Sequence, residues 1–314
     1  MRALLITTVL LACTLSGCIN TSTDISDEVV ETEVNLPTWE VSDWWLYTFV
    51  TPEFGEDSAR LVVSETVSED GVYMLGISSE REAQRHAVVN HNPFLGRVTI
   101  DGLSVFENGE AQPVFNFPWN SGDNWEFTLL GQNWEAQTIS VYDGRVRVSA
   151  ISEELHTLEY SFDTQIGFLD SFIWNDAEGI ERLRMMLNQA GTGYEGETWF
   201  IRATDLIDER YESSENDIYD TFLDSGHPSG VDFDYLVVYL DVEIAAGGSG
   251  TLTIKDHAGA SPLVRTWGSG ARESGSISTI PSLTDEYSIV LNLRGQDSYL
   301  HLKVAGGIES YWVL

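Results

Sequence analysis

The most constraining feature of the sequence is a pattern in its last third that places an apolar residue at every second position. The period is clearest in residues 235–244, where every even position is apolar, and it recurs in residues 287–293 and 300–304. Successive side chains of a β-strand point to opposite faces, so an alternation with period 2 predicts strands that each bury one face. Short strands of this kind, separated by glycine-rich turns, predict an antiparallel β-sandwich over residues 231–314.

Strand patterns also dominate the first two thirds of the chain. β-Branched and aromatic residues, bounded by Asp-Gly and Asn-Gly turn signals, are concentrated in four segments, namely 72–77, 97–103, 145–151 and 157–162. The stretch 175–179 separates two further apolar segments and predicts a hairpin. Evidence for helices is limited to residues 79–87, which are compatible with a short helix or an exposed strand, and to residues 207–213.

The fold class that follows is all-β. We expect an N-terminal antiparallel curved sheet or half-barrel over residues 38–204, followed by the C-terminal sandwich. The segment between them, residues 205–230, is acidic and has few apolar residues. This composition predicts a linker between two domains.

A short internal similarity occurs within the first domain. The segment VSDWWLYTF at 41–49 aligns with SGDNWEFTL at 121–129, an offset of 80 residues, and a looser third copy is GETWFIRA at 196–203. A duplication would give two similar sheet units within one curved domain. The alternative is chance, because a strand with a tryptophan near its start is a simple motif.

The start of the chain predicts export. Arg2 precedes an apolar run from Ala3 to Ala12, which is too short to span a membrane and is typical of a secretory signal. The run ends in Leu-Ser-Gly before Cys18, which resembles the lipobox of prokaryotic lipoproteins. That resemblance implies that residues 1–17 are removed, that Cys18 is lipidated, and that the acidic residues 18–37 form a tether. The protein would then lie on the extracytoplasmic face of the cell membrane. An ordinary signal peptide is the alternative.

The charge of the chain excludes one class of partner. Asp and Glu number 50 against 16 Lys and Arg, a net charge of −34. Such a chain repels nucleic acid, so we expect no nucleic-acid partner. The acids are dispersed and lysine is scarce, a composition that suits a salt-rich medium in which screening reduces self-repulsion. We therefore expect a salt-adapted microbial protein.

No catalytic or cofactor-binding motif is present. The six histidines form no zinc motif, and carboxylates are too abundant to mark a glycosidase pair. Asp232 and Asp234 could join a calcium site, although a solvated turn is the simpler interpretation. We expect the three cations Arg97, Arg145 and Arg147 to pair with carboxylates. The sequence therefore predicts no catalysis, no cofactor and no metal, and an acid-based hydrolase is the alternative.

Two segments carry a family resemblance. WNSGDNWEFTL (119–129) and EYSFDTQIGFLDSFIWNDAEG (159–179) are similar to segments of LolA/LolB-like half-barrel lipoproteins. The resemblance covers residues 38–204 and implies an open antiparallel half-barrel. In some members of that family the concave face carries lipid or another apolar molecule.

Tryptophan is the one suggestive feature for binding, because eight of the ten tryptophans lie in the first domain. Alternation places Trp44 and Trp45 on opposite faces of a strand. We predict that an apolar ligand contacts Trp44, Trp45, Trp125 and Trp174; the alternative is that the tryptophans fill cores. The function expected is a non-catalytic, lipid-anchored binding or interaction module. The alternatives are an apolar-ligand carrier, or adhesion to a glycan or protein through the sandwich.

Overall fold

The predicted all-β class is confirmed by a computed structural model, which describes residues 34–89, 92–226, 232–282 and 286–314. Within these ranges the chain forms twenty strands and one helix, α1 (Glu80–Val89). The first twelve strands are β1 (Trp44–Thr51), β2 (Gly55–Val67), β3 (Val72–Ile77), β4 (Gly96–Thr99), β5 (Val105–Glu107), β6 (Glu110–Gln112), β7 (Asn124–Leu129), β8 (Gln132–Tyr142), β9 (Arg145–Ser152), β10 (Thr157–Asp163), β11 (Phe168–Asn175) and β12 (Glu181–Gly191). The remaining eight are β13 (Glu197–Glu212), β14 (Asn216–Asp224), β15 (Tyr235–Glu243), β16 (Ser249–Asp256), β17 (Leu263–Trp267), β18 (Arg272–Pro281), β19 (Glu286–Arg294) and β20 (Tyr299–Val313).

Sixteen strands form one large curved antiparallel sheet, and the other four form a small sheet. The strand order of the large sheet is β18-β15-β20-β13-β3-β2-β1-β12-β11-β10-β9-β8-β7, and β4, β5 and β6 branch from β3. The order of the small sheet is β14-β19-β16-β17. The predicted hairpin across residues 175–179 is confirmed as the pair of β11 and β12.

One face of the curved part of the large sheet, here called the inner face, is packed with aromatic side chains. Each strand alternates between this face and an outer, solvent-facing side; in β1, for example, Trp45, Tyr47 and Phe49 are buried while the intervening residues are not. Fully burying a side chain of this kind contributes about 1.5–3 kcal/mol to folding. The inner face is therefore the main core of the first part of the chain.

Helix α1 closes this core at one side. Ser79 caps its start, because the Ser79 hydroxyl accepts a hydrogen bond from the Glu82 N–H at 3.3 Å. Ala83, Ala87 and Val88 pack into the core. Arg85 is almost fully buried, contacts Asp57 and Glu82, and so joins the helix to the β1–β2 hairpin.

Strands β15 and β20 form a wall between two cores. The even residues of β15 face the small sheet, as the alternation predicts. The odd residues Val237 and Tyr239 are also buried, on the opposite face, where Tyr239 contacts the ring of Phe54 at 5.7 Å between centroids. The period-2 pattern is carried by the even residues, so the sequence predicts one buried face. The second face is buried because the β1–β2 turn covers it, and no local pattern in β15 predicts that contact.

The segment predicted to be a linker has a different structure. Residues 205–212 belong to β13, and residues 216–224 form β14, so most of the segment 205–230 is strand. Its acids occupy exposed positions between half-buried Leu206, Tyr211 and Tyr219. Because β13 pairs with β20 along its whole length, one sheet continues across the expected boundary. The described residues from Val34 onward belong to one compact unit with two hydrophobic clusters, and the division into two domains stays a prediction.

Three further expectations have clear outcomes. The candidate helix at 79–87 is a helix, whereas residues 207–213 extend β13 and end in a turn. The strand expected at 97–103 stops at Thr99 and continues as a turn. Cys18, the signal segment and most of the tether lie outside the described residues. Within those residues, the single helix is neither long nor apolar enough to cross a membrane.

Candidate functional site

The internal similarity corresponds to two copies of one local structure, here called the first and second tryptophan turns (residues 39–49 and 119–129). In the first, the Asp43 carboxylate accepts the Glu40 N–H at 2.8 Å; in the second, the Asp123 carboxylate accepts the Asn120 N–H at 3.1 Å. The backbone at the residue before each aspartate is left-handed, with φ of 77° at Ser42 and 86° at Gly122. The carbonyl of each aspartate also accepts a backbone hydrogen bond from the neighbouring strand, and the N–H of the residue before it donates to that strand: Ser42 pairs with Val63 of β2, and Gly122 with Thr138 of β8.

The two turns differ in the partners of their indole groups. In the first turn, Trp39 Nε1 donates to the Gly167 carbonyl at 2.9 Å and Trp45 Nε1 donates to the Ile166 carbonyl at 2.8 Å. In the second, the buried Nε1 atoms of Trp119 and Trp125 have no hydrogen-bond partner in the described part of the chain. The first turn is covered by the loop between β10 and β11, and the second lies at the last strand of the sheet.

The predicted ligand-binding tryptophans do not form one site. Trp45 is only 2% exposed, and its ring packs against Trp39 and Phe168. Trp44 lies on the outer face, as the alternation predicts, where the Arg60 guanidinium is 5.1 Å from its ring centroid. These two residues are therefore separated by the sheet itself.

Trp125 and Trp174 share the inner face. The strand registers place them in one row across β7 to β11, with Ala136, Ala150 and Leu158 between them. Trp174 Nε1 donates to His156 Nδ1 at 3.2 Å. Both indoles are half-buried and pack on the core. The row therefore forms a rim of the inner face.

The centre of the inner face is filled by its own side chains. The largest fully buried residues of the molecule include five aromatic side chains of this face: Trp119, Trp134, Phe162, Phe168 and Phe172. Phe94 and Phe115 stack between them, with ring centroids 6.1 Å apart. Of the tryptophans that motivate the apolar-ligand prediction, Trp39 and Trp45 pack against each other, and Trp119 packs against Phe162.

The outer face of β8 to β11 carries a groove of about 640 Å³. Its lining includes Tyr142, which is 70% exposed, and Ile139, which is 52% exposed. Four outward residues, one on each strand, lie in a continuous row, and their order is Ser140, Arg147, Ser161 and Ser171. We call this row the serine–arginine row.

The row combines fixed hydroxyls with an arginine that has no internal partner. The Ser161 and Ser171 hydroxyls are 2.9 Å apart, and Ser161 Oγ donates to Asp170 at 3.3 Å. Arg147 makes no ion pair or side-chain hydrogen bond within the described residues. Its neighbour Arg145 is engaged, because Arg145 Nε contacts the Asp163 carboxylate at 2.9 Å. The expected pairing with carboxylates thus holds for Arg145 but not for Arg147.

The groove offers donors, acceptors and apolar surface together. A guanidinium presents five N–H donors, each serine hydroxyl both donates and accepts, and the carboxylates of Glu159 and Asp170 accept. Tyr142, Ile139 and Ile173 supply flat or apolar contact area. Residue type alone does not predict this site, because its members lie on four strands and become neighbours only through the register. The available signal was the set of serines at outward positions of these strands.

A second polar cluster lies on β13 and β20. Asp208 contacts His301 Nε2 at 2.6 Å and Lys303 Nζ at 2.9 Å. Burial alone would raise the pKa of Asp208, but the hydrogen bonds from His301 and Lys303 hold that pKa below its usual value. The carboxylate is satisfied by these two side chains, which indicates a structural role.

Metal ligation finds no support in the described ranges, where no three His, Cys, Asp or Glu side chains gather as a metal site would require. Of the two candidate calcium ligands, Asp234 accepts the Glu309 N–H at 2.8 Å. Its carboxylate therefore fixes the backbone of β20. The calcium interpretation gains nothing from this geometry.

Comparison with known proteins yields no relative. No family model matches the chain, and no curated protein matches it. Solved structures with some similarity include an arabinoxylan arabinofuranohydrolase from Bacillus subtilis (11% identity, TM-score 0.16), infectious bursal disease virus, Gx strain (10%, 0.18) and the insecticidal delta-endotoxin Cry8Ea1 from Bacillus thuringiensis (7%, 0.20). The matches cover 79%, 88% and 88% of this chain and 66%, 68% and 54% of those chains, respectively. TM-scores this low do not establish a shared fold.

Proposed function

We propose that this protein is a non-catalytic, lipid-anchored lipoprotein that binds a glycan in the groove on the outer face of β8 to β11. The observation that carries the proposal is the serine–arginine row, with the unpaired Arg147 at its centre. The chain has a net charge of −34, and the Arg147 guanidinium lines the groove together with the carboxylates of Glu159 and Asp170. Because Arg147 is bonded to neither carboxylate among the described residues, it is available to a ligand.

The chemistry of the groove favours a polyhydroxyl ligand over an apolar one. Neighbouring hydroxyls of a sugar both donate and accept hydrogen bonds, which matches the mixture of Arg147, serine hydroxyls and carboxylates. Tyr142 offers an exposed ring on which the apolar face of a sugar can stack. Specific sites usually combine such an apolar contact with a few placed polar groups.

The anchor rests on the sequence alone. The signal-like segment 1–17 and the lipobox-like residues before Cys18 support attachment of the mature chain to the extracytoplasmic face of a membrane. The acidic residues 18–37 would hold the folded part away from the lipid surface. A groove on the solvent face of the sheet would then meet glycans outside the cell.

A binding assay with matched variants tests the glycan site. The purified protein is titrated by calorimetry with a panel of neutral, amino and uronic-acid oligosaccharides. Arg147→Ala and Tyr142→Ala should each weaken the binding of the best oligosaccharide at least tenfold. Arg202→Ala, which removes an exposed arginine of β13 outside the groove, should change it less than twofold. Absence of binding to the whole panel, or equal binding by all variants, would refute the proposal.

A separate experiment tests the anchor. Expressed in its native host, the protein should partition into the detergent phase of a Triton X-114 extract, and Cys18→Ser should move it to the aqueous phase. Equal partition of the two forms would show that Cys18 carries no lipid.

A further inference from the structure

Two strand edges lie open on the same side of the sandwich. β14 pairs with β19 along one edge only, and among the described residues no strand pairs with its other edge. β13 pairs with β20 along its length, but its second edge meets β3 only at Trp199. In the part of the chain that the structure describes, no strand pairs with that edge from Ile201 to the end of β13. Unpaired edges present backbone N–H and C=O groups in the spacing that another strand requires.

A groove of about 670 Å³ runs between these two edges. One wall is formed by residues 206–209 and Tyr211 of β13, and the other by residues 218–222 of β14. Ile218 and Phe222, on the rim of β14, are 68% and 66% exposed. These two side chains lie on the same face of β14, where the side chains of an added strand could pack against them.

Side-chain contacts bound the groove at one end and join the two sheets on the opposite side of the sandwich. The rings of Tyr211 and Tyr219 meet at 4.9 Å between centroids, beside the turn that joins β13 to β14. On the opposite side, Arg265 of β17 bonds to Ser278 of β18 at 2.7 Å, and Trp267 bonds to Glu273.

Unpaired acidic side chains in the groove favour a basic ligand. Glu209 lies opposite the fully buried Leu302 in the strand register, on the face of β13 that is directed at the small sheet. No cation pairs with Glu209 within the described residues. Asp220 lies on the rim between Ile218 and Phe222 and has no such partner either. An occupant with lysine or arginine would neutralise both.

We propose that the β13–β14 groove binds an extended, basic segment of a partner protein, which adds to β14 as a fifth strand of the small sheet. Main-chain hydrogen bonds to β14 would supply affinity, and alternate side chains would contact Glu209 on one face and the Ile218–Phe222 rim on the other. This surface is distinct from the glycan groove and does not depend on it. The competing explanation is that the acids protect the edges against pairing of any kind.

Synthetic peptides separate the two explanations. The probe is an acetylated octapeptide in which lysine alternates with valine and threonine, added to the ¹⁵N-labelled full chain. Amide shifts should appear in residues 216–224 and 206–211. The same peptide with glutamate for lysine should bind at least tenfold more weakly, and so should a lysine peptide N-methylated at the positions that would bond to β14. If the lysine peptide does not bind, or if the methylated and unmethylated peptides bind equally, the proposal is wrong.

Variants of the chain locate the contact. Glu209→Lys should weaken binding of the lysine peptide at least tenfold. Glu178→Lys makes the same charge change in the exposed β11–β12 turn and should leave binding within twofold. Because Glu209→Lys could disturb folding, Glu209→Gln provides a milder test and should weaken binding by a smaller factor. Equal loss of binding in Glu178→Lys would indicate general charge attraction and would overturn the site.

Discussion

The two tryptophan turns share one backbone structure but differ in their surroundings. In both, an aspartate accepts an N–H three residues earlier, and the residue before it is left-handed. The indoles of the first turn donate to the carbonyls of Ile166 and Gly167, whereas the buried Nε1 atoms of the second have no acceptor among the described residues. The local sequence thus determines the turn, and its place in the sheet determines what the tryptophans contact. In both copies these rings belong to the framework, and the site with free polar groups lies on the opposite face.

The two turns should differ most in how much stability is lost when a buried tryptophan is replaced by phenylalanine. Trp39→Phe removes the donor to Gly167 and leaves that carbonyl unpaired, whereas Trp119→Phe removes a donor that has no partner. Both substitutions lose similar ring volume, at 4% and 1% exposure. Trp39→Phe should therefore lower the free energy of unfolding by about 1–2 kcal/mol more than Trp119→Phe.

Urea denaturation of the two variants measures this difference, and the parent chain provides the reference. Equal losses, or a larger loss for Trp119→Phe, would mean that Trp119 Nε1 has an acceptor in solution, for instance an ordered water. The two turns would then not differ in whether their indole N–H groups are hydrogen-bonded.

The next effect should be equal in the two turns. Asp43→Ala and Asp123→Ala each remove the carboxylate that accepts a backbone N–H, an interaction like that of a helix cap. Each should reduce stability by about 1 kcal/mol. Thermal melts of the two variants and of the double variant should show additive losses, because the sites lie in separate turns. A loss of stability in only one variant would show that the same hydrogen bond contributes differently to stability in the two turns.

The smallest effect should come from exchanging the left-handed residues. Serine occupies this position in the first turn and glycine in the second, and a Cβ atom added at Gly122 would have no atom within 4 Å outside its chain neighbours. Gly122→Ser should therefore cost no more than about 1 kcal/mol, and Ser42→Gly should gain or lose less than that. Denaturation midpoints of both variants check the prediction. A cost of several kcal/mol at Gly122 would show that the two backbones are not equivalent.

The sequence predicts the fold well where one face of a strand is buried. The opposite faces of Trp44 and Trp45 follow from period 2. The bounds 72–77 of β3 and the hairpin of β11 and β12 follow from apolar segments bounded by turn signals. The sequence does not predict strands whose side chains are partly buried and partly exposed. The acids of β13 and β14 resemble a linker because half of their side chains are exposed at open edges.

The candidate sites were harder to predict than the fold. The serine–arginine row is formed by residues from four strands, so its members become neighbours only through the register. The predicted tryptophans were selected for residue type alone, and type does not distinguish a buried ring from a binding ring. Trp45, at 2% exposure, shows this most clearly. The edge groove depends on which strands lack partners, which no local pattern contains.

The central claim is that ligand binds to the polar outer groove and not to the aromatic inner face. The most direct measurement is a ¹H–¹⁵N titration of the full chain with the oligosaccharide that binds best and, separately, with a fatty acid. The account predicts that the oligosaccharide shifts the backbone amides of Ser140, Arg147, Ser161 and Ser171. The indole N–H signals of Trp45, Trp125 and Trp174 should stay in place with both ligands. Saturable shifts of the Trp125 and Trp174 indole signals with the fatty acid, without any response in the groove, would contradict it.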